Sequence, residues 1–246
     1  MSHTYEDVLK YWQENLPETK DDFMTILDNF KIMFAYNSNK IENPETAYQN
    51  IKEIFENGKV INYTGDLRNL FEIQNQKDAF DFIIDNIIVK KKPIDKQFIL
   101  ELHEALMKGC YDEPRYNKGE RPGVFKLHDY AVGDYIGAAP EDVEQEIEDL
   151  CAELMENEGK DPLRIATYLH LTFETIHPFA DGNGRVGRTL LNYYLMTHDY
   201  PPTILYDEDK ETYYMALTVF DKSGQFTGFE QFLKEQTVKT WSKRLG

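Results

Sequence analysis

The sequence predicts an all-α protein, and two features of the chain lead to that prediction. Apolar residues recur at steps of three and four along most of the 246 residues, which places them on one face of a helix. One segment, residues 121–140, breaks this period and is rich in glycine and in β-branched and aromatic residues. We therefore expect a bundle of helices that carries one short β-hairpin.

Each expected helix follows from its own apolar stripe. The first stripe covers residues 23–34 and consists of Phe23, Ile26, Leu27, Phe30, Met33 and Phe34. A long helix follows over about residues 66–89, and prolines open the next two helices, after Pro93 and at Pro140. The remaining stripes predict helices over residues 161–176, after Asp181, and over residues 227–245. Because no low-complexity linker separates these stripes, we expect one large domain, or a compact core with an appendage.

The composition limits the kinds of partner and compartment. Hydrophobic residues make up 41% of the chain, which is enough for a buried core. The 27 basic and 44 acidic residues give a formal net charge of −17, which repels polyanions, so we expect no nucleic-acid partner. No apolar run reaches the length of about 18 residues that a membrane span needs, and the first residues are polar. We expect a cytoplasmic protein with no membrane partner.

The stretch HPFADGNGRVGR, residues 177–188, does not fit an ordinary core segment. His177 and Pro178 end the preceding helix, because a residue before proline is biased away from the α region. A Gly-Asn-Gly turn then leads into the next helix, whose free N–H groups and dipole favour an anion. Glycine also lets the backbone approach a ligand closely. This turn is therefore a candidate phosphate site.

The charged side chains of the same stretch fit that ligand. Arg185 and Arg188 are three residues apart, so they emerge from one face of the helix N-terminus, where positive groups need an anionic partner. Asp181 is placed to hold the Mg²⁺ that accompanies a polyphosphate, and His177 is the natural general base for an attacking hydroxyl. Each feature alone has an ordinary explanation as a helix start, a helix cap or an ion pair. Their combination favours a nucleotide polyphosphate.

These twelve residues resemble the signature of the Fic family, HxFx[DE]GNGRxxR, and match it at every specified position. The resemblance extends over about residues 93–198. It implies a Fic-type helical bundle with a short β-hairpin flap, an N-terminal helical region over residues 1–92, and C-terminal helices over residues 199–246 that complete the nucleotide pocket. The implied activity is protein adenylyltransferase: AMP passes from ATP to a Ser, Thr or Tyr hydroxyl of a protein, and pyrophosphate leaves.

The resemblance also implies roles for individual residues. His177 deprotonates the target hydroxyl, and Asp181 binds Mg²⁺. The phosphates are held by the rest of the motif, namely Gly182, Asn183, Gly184, Arg185 and Arg188. Phe179 is expected to lie in the core. Tyr214 or its neighbour Tyr213 is a candidate to line the adenine pocket, and core packing is the alternative for one of the pair.

The hairpin has an implied role as well. In the family, a hairpin beside the active site docks the target protein as an added strand, and residues 121–138 are the candidate here. A hairpin that only covers the core is the alternative. The sequence does not identify the target. Self-modification on one of the 16 tyrosines and a homo-oligomer are both open.

A second motif lies in NSNKIENPE, residues 37–45. Ser38 and Glu42 are four residues apart, hence on one helical face, and Pro44 disfavours a helix that continues beyond Asn43. Beside the Fic signature, this segment resembles the family's inhibitory motif, [ST]xxxE[GN]. The resemblance implies that Glu42 lies against Arg188, neutralises the charge meant for the γ-phosphate and keeps the enzyme largely off.

Three alternatives stay open. Glu42 could instead activate water and remove AMP from a modified target, which would make the chain a deAMPylase. The transferred group could come from a different nucleotide donor. A non-catalytic nucleotide-binding regulatory module belongs to another class, and the intact His177 argues against it.

Overall fold

The computed structural model describes residues 3–61, 63–132 and 135–245, and within them the chain is a helical bundle. The helices are α1 Tyr5–Glu14, α2 Lys20–Ile26, α3 Asp28–Glu42, α4 Tyr48–Asn57, α5 Leu67–Lys90, α6 Lys96–Met107, α7 Glu113–Asn117, α8 Val143–Glu156, α9 Pro162–Ile176, α10 Asn183–Thr197, α11 Lys210–Ser223 and α12 Thr227–Leu245. A 3₁₀ helix, Asp207–Asp209, precedes α11, and two strands, β1 Ala131–Val132 and β2 Tyr135–Ile136, pair antiparallel. The all-α prediction is confirmed.

Local chemistry sets many of the helix ends. Thr4 and Thr19 form capping boxes with Asp7 and Asp22 at the starts of α1 and α2. Aspartate side chains accept hydrogen bonds from first-turn N–H groups at the starts of α5, α6 and α9, namely Asp66, Asp95 and Asp161. Pro162 opens α9, where its missing N–H costs nothing.

Two helix boundaries differ from the expectation. The stripe over residues 23–34 is divided between α2 and α3, because the backbone turns at Leu27. Leu27 itself stays fully buried, so both helices still contribute to the same core. The helix expected from Pro140 begins three residues later, at Val143, after a hydrogen-bonded turn.

One hydrophobic core joins the three expected regions of the chain. It contains Trp12 from α1, Phe98 from α6 and Trp241 from α12. The described helices before residue 93 and after residue 198 therefore share one core with the helices between them. α10 is buried along almost its whole length. Among the described residues, no helix combines the length and the apolar character needed to cross a lipid bilayer.

α3 lies between two apolar clusters. Its side toward the main core consists of Phe30, Phe34 and Ile41. Its side toward α4 and α5 consists of Ile32 and Ala35. Because packing covers both sides, the polar residues between them are buried too, and Ser38 is only 1% exposed. This double packing brings the end of α3 against α10.

The expected hairpin is present, but its paired strands are far shorter than residues 121–138. Ala131 pairs with Ile136 in its two-residue ladder. Residues 121–138 are called the flap below. Two backbone hydrogen bonds anchor the flap: Lys126 N donates to Pro178 O, and Ala138 N donates to Ile176 O, each at 2.9 Å. The flap is thus anchored on both sides of His177.

Trp241 tests how much α12 contributes to stability. Its buried ring lies edge-on to Trp12 at a centroid distance of 5.2 Å, and its Nε1 donates to Pro202 O at 2.7 Å. Replacing the ring by alanine leaves a cavity, so we expect Trp241→Ala to lower the free energy of unfolding by about 3–5 kcal/mol, measured by urea denaturation.

Trp241→Phe is the matched control, because it keeps an aromatic ring and loses the N–H donor. We expect it to cost about 1–2 kcal/mol. A loss below about 1 kcal/mol in Trp241→Ala would contradict the packing role assigned to this ring.

Candidate active site

The candidate site begins where α9 ends. His177 is the C-terminal cap of α9 and has left-handed backbone angles, φ 50° and ψ 61°. Positive φ is uncommon for a residue other than glycine, so the surrounding contacts must hold it there. Its N–H donates to Phe173 O at 3.0 Å, and Pro178 O accepts from the flap. The chain thereby turns out of α9 into the loop that leads to α10.

The Asn183 side chain closes this loop. Its Oδ1 accepts from Phe179 N at 2.9 Å, and its Nδ2 donates to Phe179 O at 2.8 Å. The same Nδ2 lies 3.1 Å from both ring nitrogens of His177. The asparagine that the sequence analysis assigns to phosphate binding therefore also holds the loop shape and the His177 ring.

Phe179 anchors the loop in the core, as the sequence analysis expects. Its ring is fully buried and stacks on the His103 imidazole at a centroid distance of 3.6 Å. Phe125 and Phe173 also pack near it. Phe179 therefore fixes the position of the residues on either side without facing a ligand.

His103 is a site residue that the sequence analysis missed. Its Nδ1 accepts a hydrogen bond from Gly123 N at 2.8 Å, so the ring carries its proton on Nε2 and donates it to Asp181 O at 3.0 Å. Burial lowers the pKa of His103 to about 3, which keeps the ring neutral. In the sequence, His103 attracts notice only as part of a failed HExxH zinc pattern.

Glycines let other groups approach the start of α10. Gly182 is its N-terminal cap and has a φ of 86°, which favours glycine. A Cβ on Gly184 would lie 2.8 Å from Arg188 Nη1 and would clash with Glu42 Oε1. The first N–H groups of a helix have no intrahelical partner, so this end offers donors to an anion.

Arg188 binds the predicted inhibitory motif. Its Nε donates to Ser38 Oγ at 3.0 Å, and its Nη2 donates to Ser38 O at 3.0 Å and to Glu42 Oε1 at 2.7 Å. Arg188 is 2% exposed. Burial by itself would lower the pKa of Arg188, but the Glu42 carboxylate raises it above its ordinary value. Glu42 therefore occupies the guanidinium assigned to the γ-phosphate.

Asn43, the last residue of that motif, has a different place. It is the C-terminal cap of α3, where its Nδ2 donates to Asn69 Oδ1 at 2.7 Å and its Oδ1 accepts from Glu45 N at 3.0 Å. These contacts end α3 and tie it to α5. Asn43 thus holds the end of α3, next to Glu42, and makes none of the Arg188 contacts.

Arg185 and Arg188 engage different carboxylates, although they are three residues apart on α10. Arg185 Nη1 lies 2.9 Å from Glu72 Oε1, and its Nη2 lies 3.3 Å from Asp181 Oδ1. Arg68 from α5 and Arg115 from α7 also reach Asp181, at 2.7 and 3.4 Å. Arg68, Glu72 and Arg115 were not singled out in the sequence, where no motif marks them.

The residues present fit a magnesium ion that arrives with phosphates. Mg²⁺ is commonly held by one or two carboxylates together with phosphate oxygens. Asp181 supplies one carboxylate beside the N-terminus of α10, and among the described residues no group of three acidic, histidine or cysteine side chains forms an independent metal site. Burial raises the pKa of Asp181, but Arg185 and Arg68 outweigh this effect and lower it, so the carboxylate is ionised.

The flap backbone packs against His177 at this loop. A Cβ on Gly137 would lie 2.6 Å from His177 Cβ, so the flap backbone passes directly over His177. Burial lowers the pKa of His177 to about 4, and the Lys126 ammonium adds to the effect. Lys126 is 1% exposed, and its Nζ has no hydrogen-bond partner among the described residues.

The sequence of this segment also matches a known protein family. Residues 93–195 match the sequence model of the Fic/DOC family. Residues 93–195 therefore correspond to a Fic domain. The match covers α6 to α10, including the flap and the whole loop from His177 to Arg188.

Curated relatives of the chain are named protein adenylyltransferases. It is 26% identical over 207 residues to protein adenylyltransferase Fic of Nematostella vectensis, covering 83% of this chain and 46% of that protein. It is 27% identical over 217 residues to fic-1 of Caenorhabditis briggsae, covering 87% of this chain and 41% of that protein. The chain therefore spans less than half the length of these relatives.

Solved structures share the fold beyond the Fic domain itself. A Fic domain-containing signaling protein from Bacteroides thetaiotaomicron superimposes with a TM-score of 0.83 at 23% identity, covering 97% of this chain and 94% of that one. Fic-1 from C. elegans superimposes with a TM-score of 0.80 at 24% identity, covering 98% and 69%. The helices on both sides of the Fic domain belong to the shared architecture.

The two tyrosines of α11 are placed differently beside the Fic domain. Tyr213 is buried, and its hydroxyl lies 3.1 Å from His170 Nε2. Tyr214 is 45% exposed. Of the pair, Tyr213 is the core residue, and Tyr214 remains the candidate to contact a nucleotide. His170 is fully buried and stacks on Phe229, so it belongs to the core.

The His177 imidazole should stay neutral above about pH 5, because its pKa in the folded protein is about 4. Long-range ¹H–¹⁵N NMR titration checks this, and the same sample in concentrated urea is the control, where the midpoint should return to about 6.5. The depressed pKa makes a stabilising contribution that is complete above about pH 6.5 and is lost as the pH falls towards 4. A folded-state midpoint above pH 6 would contradict this assignment.

Proposed function

We propose that the chain is an autoinhibited protein adenylyltransferase that transfers AMP from ATP to Ser, Thr or Tyr hydroxyls of a target protein and releases pyrophosphate. One observation carries the proposal. The loop after α9 brings a neutral His177, the Asp181 carboxylate and the N-terminus of α10 together beneath the flap. The names of the curated relatives support the same activity.

The first chemical task falls to His177. A neutral imidazole accepts the proton of the target hydroxyl as its oxygen attacks the α-phosphate. The Asn183 side-chain amide lies within hydrogen-bond distance of both ring nitrogens of His177. The buried Phe179 ring anchors the loop in the core. Because the loop is held from several sides, little reorganisation is needed when the hydroxyl arrives.

The phosphates would lie on the N-terminus of α10. Its unpaired N–H groups and the two motif arginines stabilise negative charge on the transferred and leaving groups. Asp181 would hold Mg²⁺, which when bound supplies further positive charge against the phosphates. Tyr214 is the proposed contact for the adenine ring, because it is the exposed member of its pair.

The flap would receive the target protein. Its backbone passes over His177, and Ile136 at the end of β2 is 54% exposed. An extended target segment that pairs with such an edge would bring its hydroxyl close to His177. Because backbone hydrogen bonds supply the pairing, this docking does not demand one particular target sequence.

The Glu42 carboxylate would keep this enzyme largely off. It pairs with Arg188 at 2.7 Å and lies against Gly184 at the start of α10, where the phosphates would bind. A γ-phosphate would have to displace this carboxylate from a buried guanidinium. The Glu42 side chain is 40% exposed, so displacing it costs less than breaking a fully buried pair, on the order of 1–2 kcal/mol. Each 1.36 kcal/mol is a tenfold change in rate.

Glu42→Gly tests the proposal. Incubated with ATP and Mg²⁺, this variant should gain a covalent AMP increment, measured by intact mass or on targets in cell extract with labelled ATP, at least about tenfold faster than the wild type. Glu42→Gln is the matched control, because it keeps most of the bulk and removes the charge, and it should fall between the two. No AMP transfer from any of the three proteins would contradict the proposed function.

His177→Ala in the Glu42→Gly protein tests the proposed base. We expect transfer to fall by about two to four orders of magnitude, because proton transfer to a positioned base contributes that much. Affinity for a labelled ATP analogue should change little, since His177 is not a phosphate ligand in this proposal. Undiminished transfer would remove His177 from its role.

DeAMPylation is the second candidate, because Glu42 lies where it could activate water beside a phosphate. Glu42→Gly carrying AMP, incubated with fresh wild-type protein, separates the two. Loss of the AMP increment only when Glu42 is present would assign the hydrolytic activity to this carboxylate.

A further inference from the structure

Three guanidinium groups surround the carboxylate of Asp181, and two of them come from outside the catalytic loop. Arg68 Nη2 donates to Asp181 Oδ2 at 2.7 Å, and Arg115 Nη2 lies 3.4 Å from the same oxygen. Arg185 Nη2 lies 3.3 Å from Oδ1. Both carboxylate oxygens of the proposed metal ligand are therefore already engaged by positive charge.

Glu72 converts these contacts into a closed ring. Its Oε1 lies 2.9 Å from Arg68 Nε and 2.9 Å from Arg185 Nη1. Asp181, Arg68, Glu72 and Arg185 thus alternate in charge around a loop of four groups. Arg185 is 3% exposed and Glu72 is 10% exposed, so solvent screens this ring less than a surface pair.

The backbone of Asp181 is held as firmly as its side chain. His103 Nε2 donates to Asp181 O at 3.0 Å, and His103 is itself fixed by its stacking on Phe179. The carboxylate cannot leave its arginines through a shift of the loop without breaking these contacts. The arginine side chains can move without breaking them.

Arg68 is the member of the ring best able to move. It lies in the first turn of α5, its side chain is 33% exposed, and it is not part of the catalytic motif. Arg185 is buried, and Arg115 is further from Asp181 and also pairs with Asp112 at 2.7 Å. Rotation of this partly exposed guanidinium would remove the shortest contact of Asp181 Oδ2 and leave only Arg115 Nη2, at 3.4 Å.

We propose that Arg68 is a positioning residue that withholds Asp181 from a divalent cation until a polyphosphate is present. This inference rests on the proposed function, because it takes Asp181 to be the metal ligand. A free cation finds both oxygens of this carboxylate paired with guanidinium groups, and it would have to break one of these ion pairs to bind. A nucleotide polyphosphate brings negative charge that gives the Arg68 guanidinium a new partner and so releases the carboxylate. The metal therefore binds together with the nucleotide.

Mn²⁺ binding, followed by electron paramagnetic resonance without nucleotide, tests this role directly. We expect Arg68→Gln to bind Mn²⁺ about tenfold more tightly than the wild type, because a neighbouring cation changes a carboxylate's affinity for a proton by about one to three orders of magnitude. Arg164→Gln is the matched control: that guanidinium lies 4.9 Å from the Phe226 ring, away from Asp181, and its loss should leave Mn²⁺ affinity unchanged.

A non-hydrolysable ATP analogue supplies the second arm. With the analogue bound, the difference in Mn²⁺ affinity between Arg68→Gln and the wild type should shrink to about twofold or less, because the phosphates take over the compensation. Equal or weaker Mn²⁺ binding by Arg68→Gln without nucleotide would overturn the inference. A purely structural Arg68 would give that result together with a lower melting temperature.

Asp181→Asn in the Arg68→Gln protein separates this inference from the proposed function. Loss of the tighter Mn²⁺ site locates it at Asp181, as the inference requires. Tight Mn²⁺ binding that survives Asp181→Asn would place the metal elsewhere on this acidic chain and would remove Asp181 from both proposals. AMP transfer by Glu42→Gly remains an independent measure of the activity.

Discussion

The architecture of the site depends on how the buried guanidinium of Arg188 is neutralised. A buried charge without a partner costs several kcal/mol, so the folded chain must bring a counter-charge to this point. Glu42 supplies the charge, and Ser38 supplies two further acceptors. α3 can deliver both residues because apolar clusters cover it on two sides. The packing of the N-terminal helices is thus coupled to one arginine of α10.

The same principle governs the other half of the proposed phosphate site. Arg185 and Arg68 are neutralised by Asp181 and Glu72. A region suited to a polyphosphate is rich in positive charge, and without its ligand the protein provides internal carboxylates in the ligand's place. Nucleotide binding would therefore exchange internal ion pairs for external ones, and the affinity would depend on the difference between the two sets.

Neutral groups hold the loop between α9 and α10 in place. His103 donates a hydrogen bond to the backbone oxygen of Asp181, and the Asn183 side chain bonds the backbone of Phe179 across the loop. The His103 and Phe179 rings stack on each other in the core. Because burial keeps His103 and His177 uncharged at neutral pH, the loop contains hydrogen-bond partners without further positive charge. The negative charge of Asp181 and the positive charges around it therefore dominate the electrostatics of the site.

The sequence by itself determined the helical class, several of the longer helices and the turn between α9 and α10, because each depends on residues close together in the chain. Periodicity, capping residues and the glycine turn are local, and the twelve-residue motif is contiguous. Tertiary structure alone decided the positions of His103 and Arg68, which meet Asp181 from 78 and 113 residues away. Glu42 and Arg188 are 146 residues apart, and only the family resemblance suggested their contact. Such pairings follow from the packing of whole helices, which no short stretch of sequence encodes.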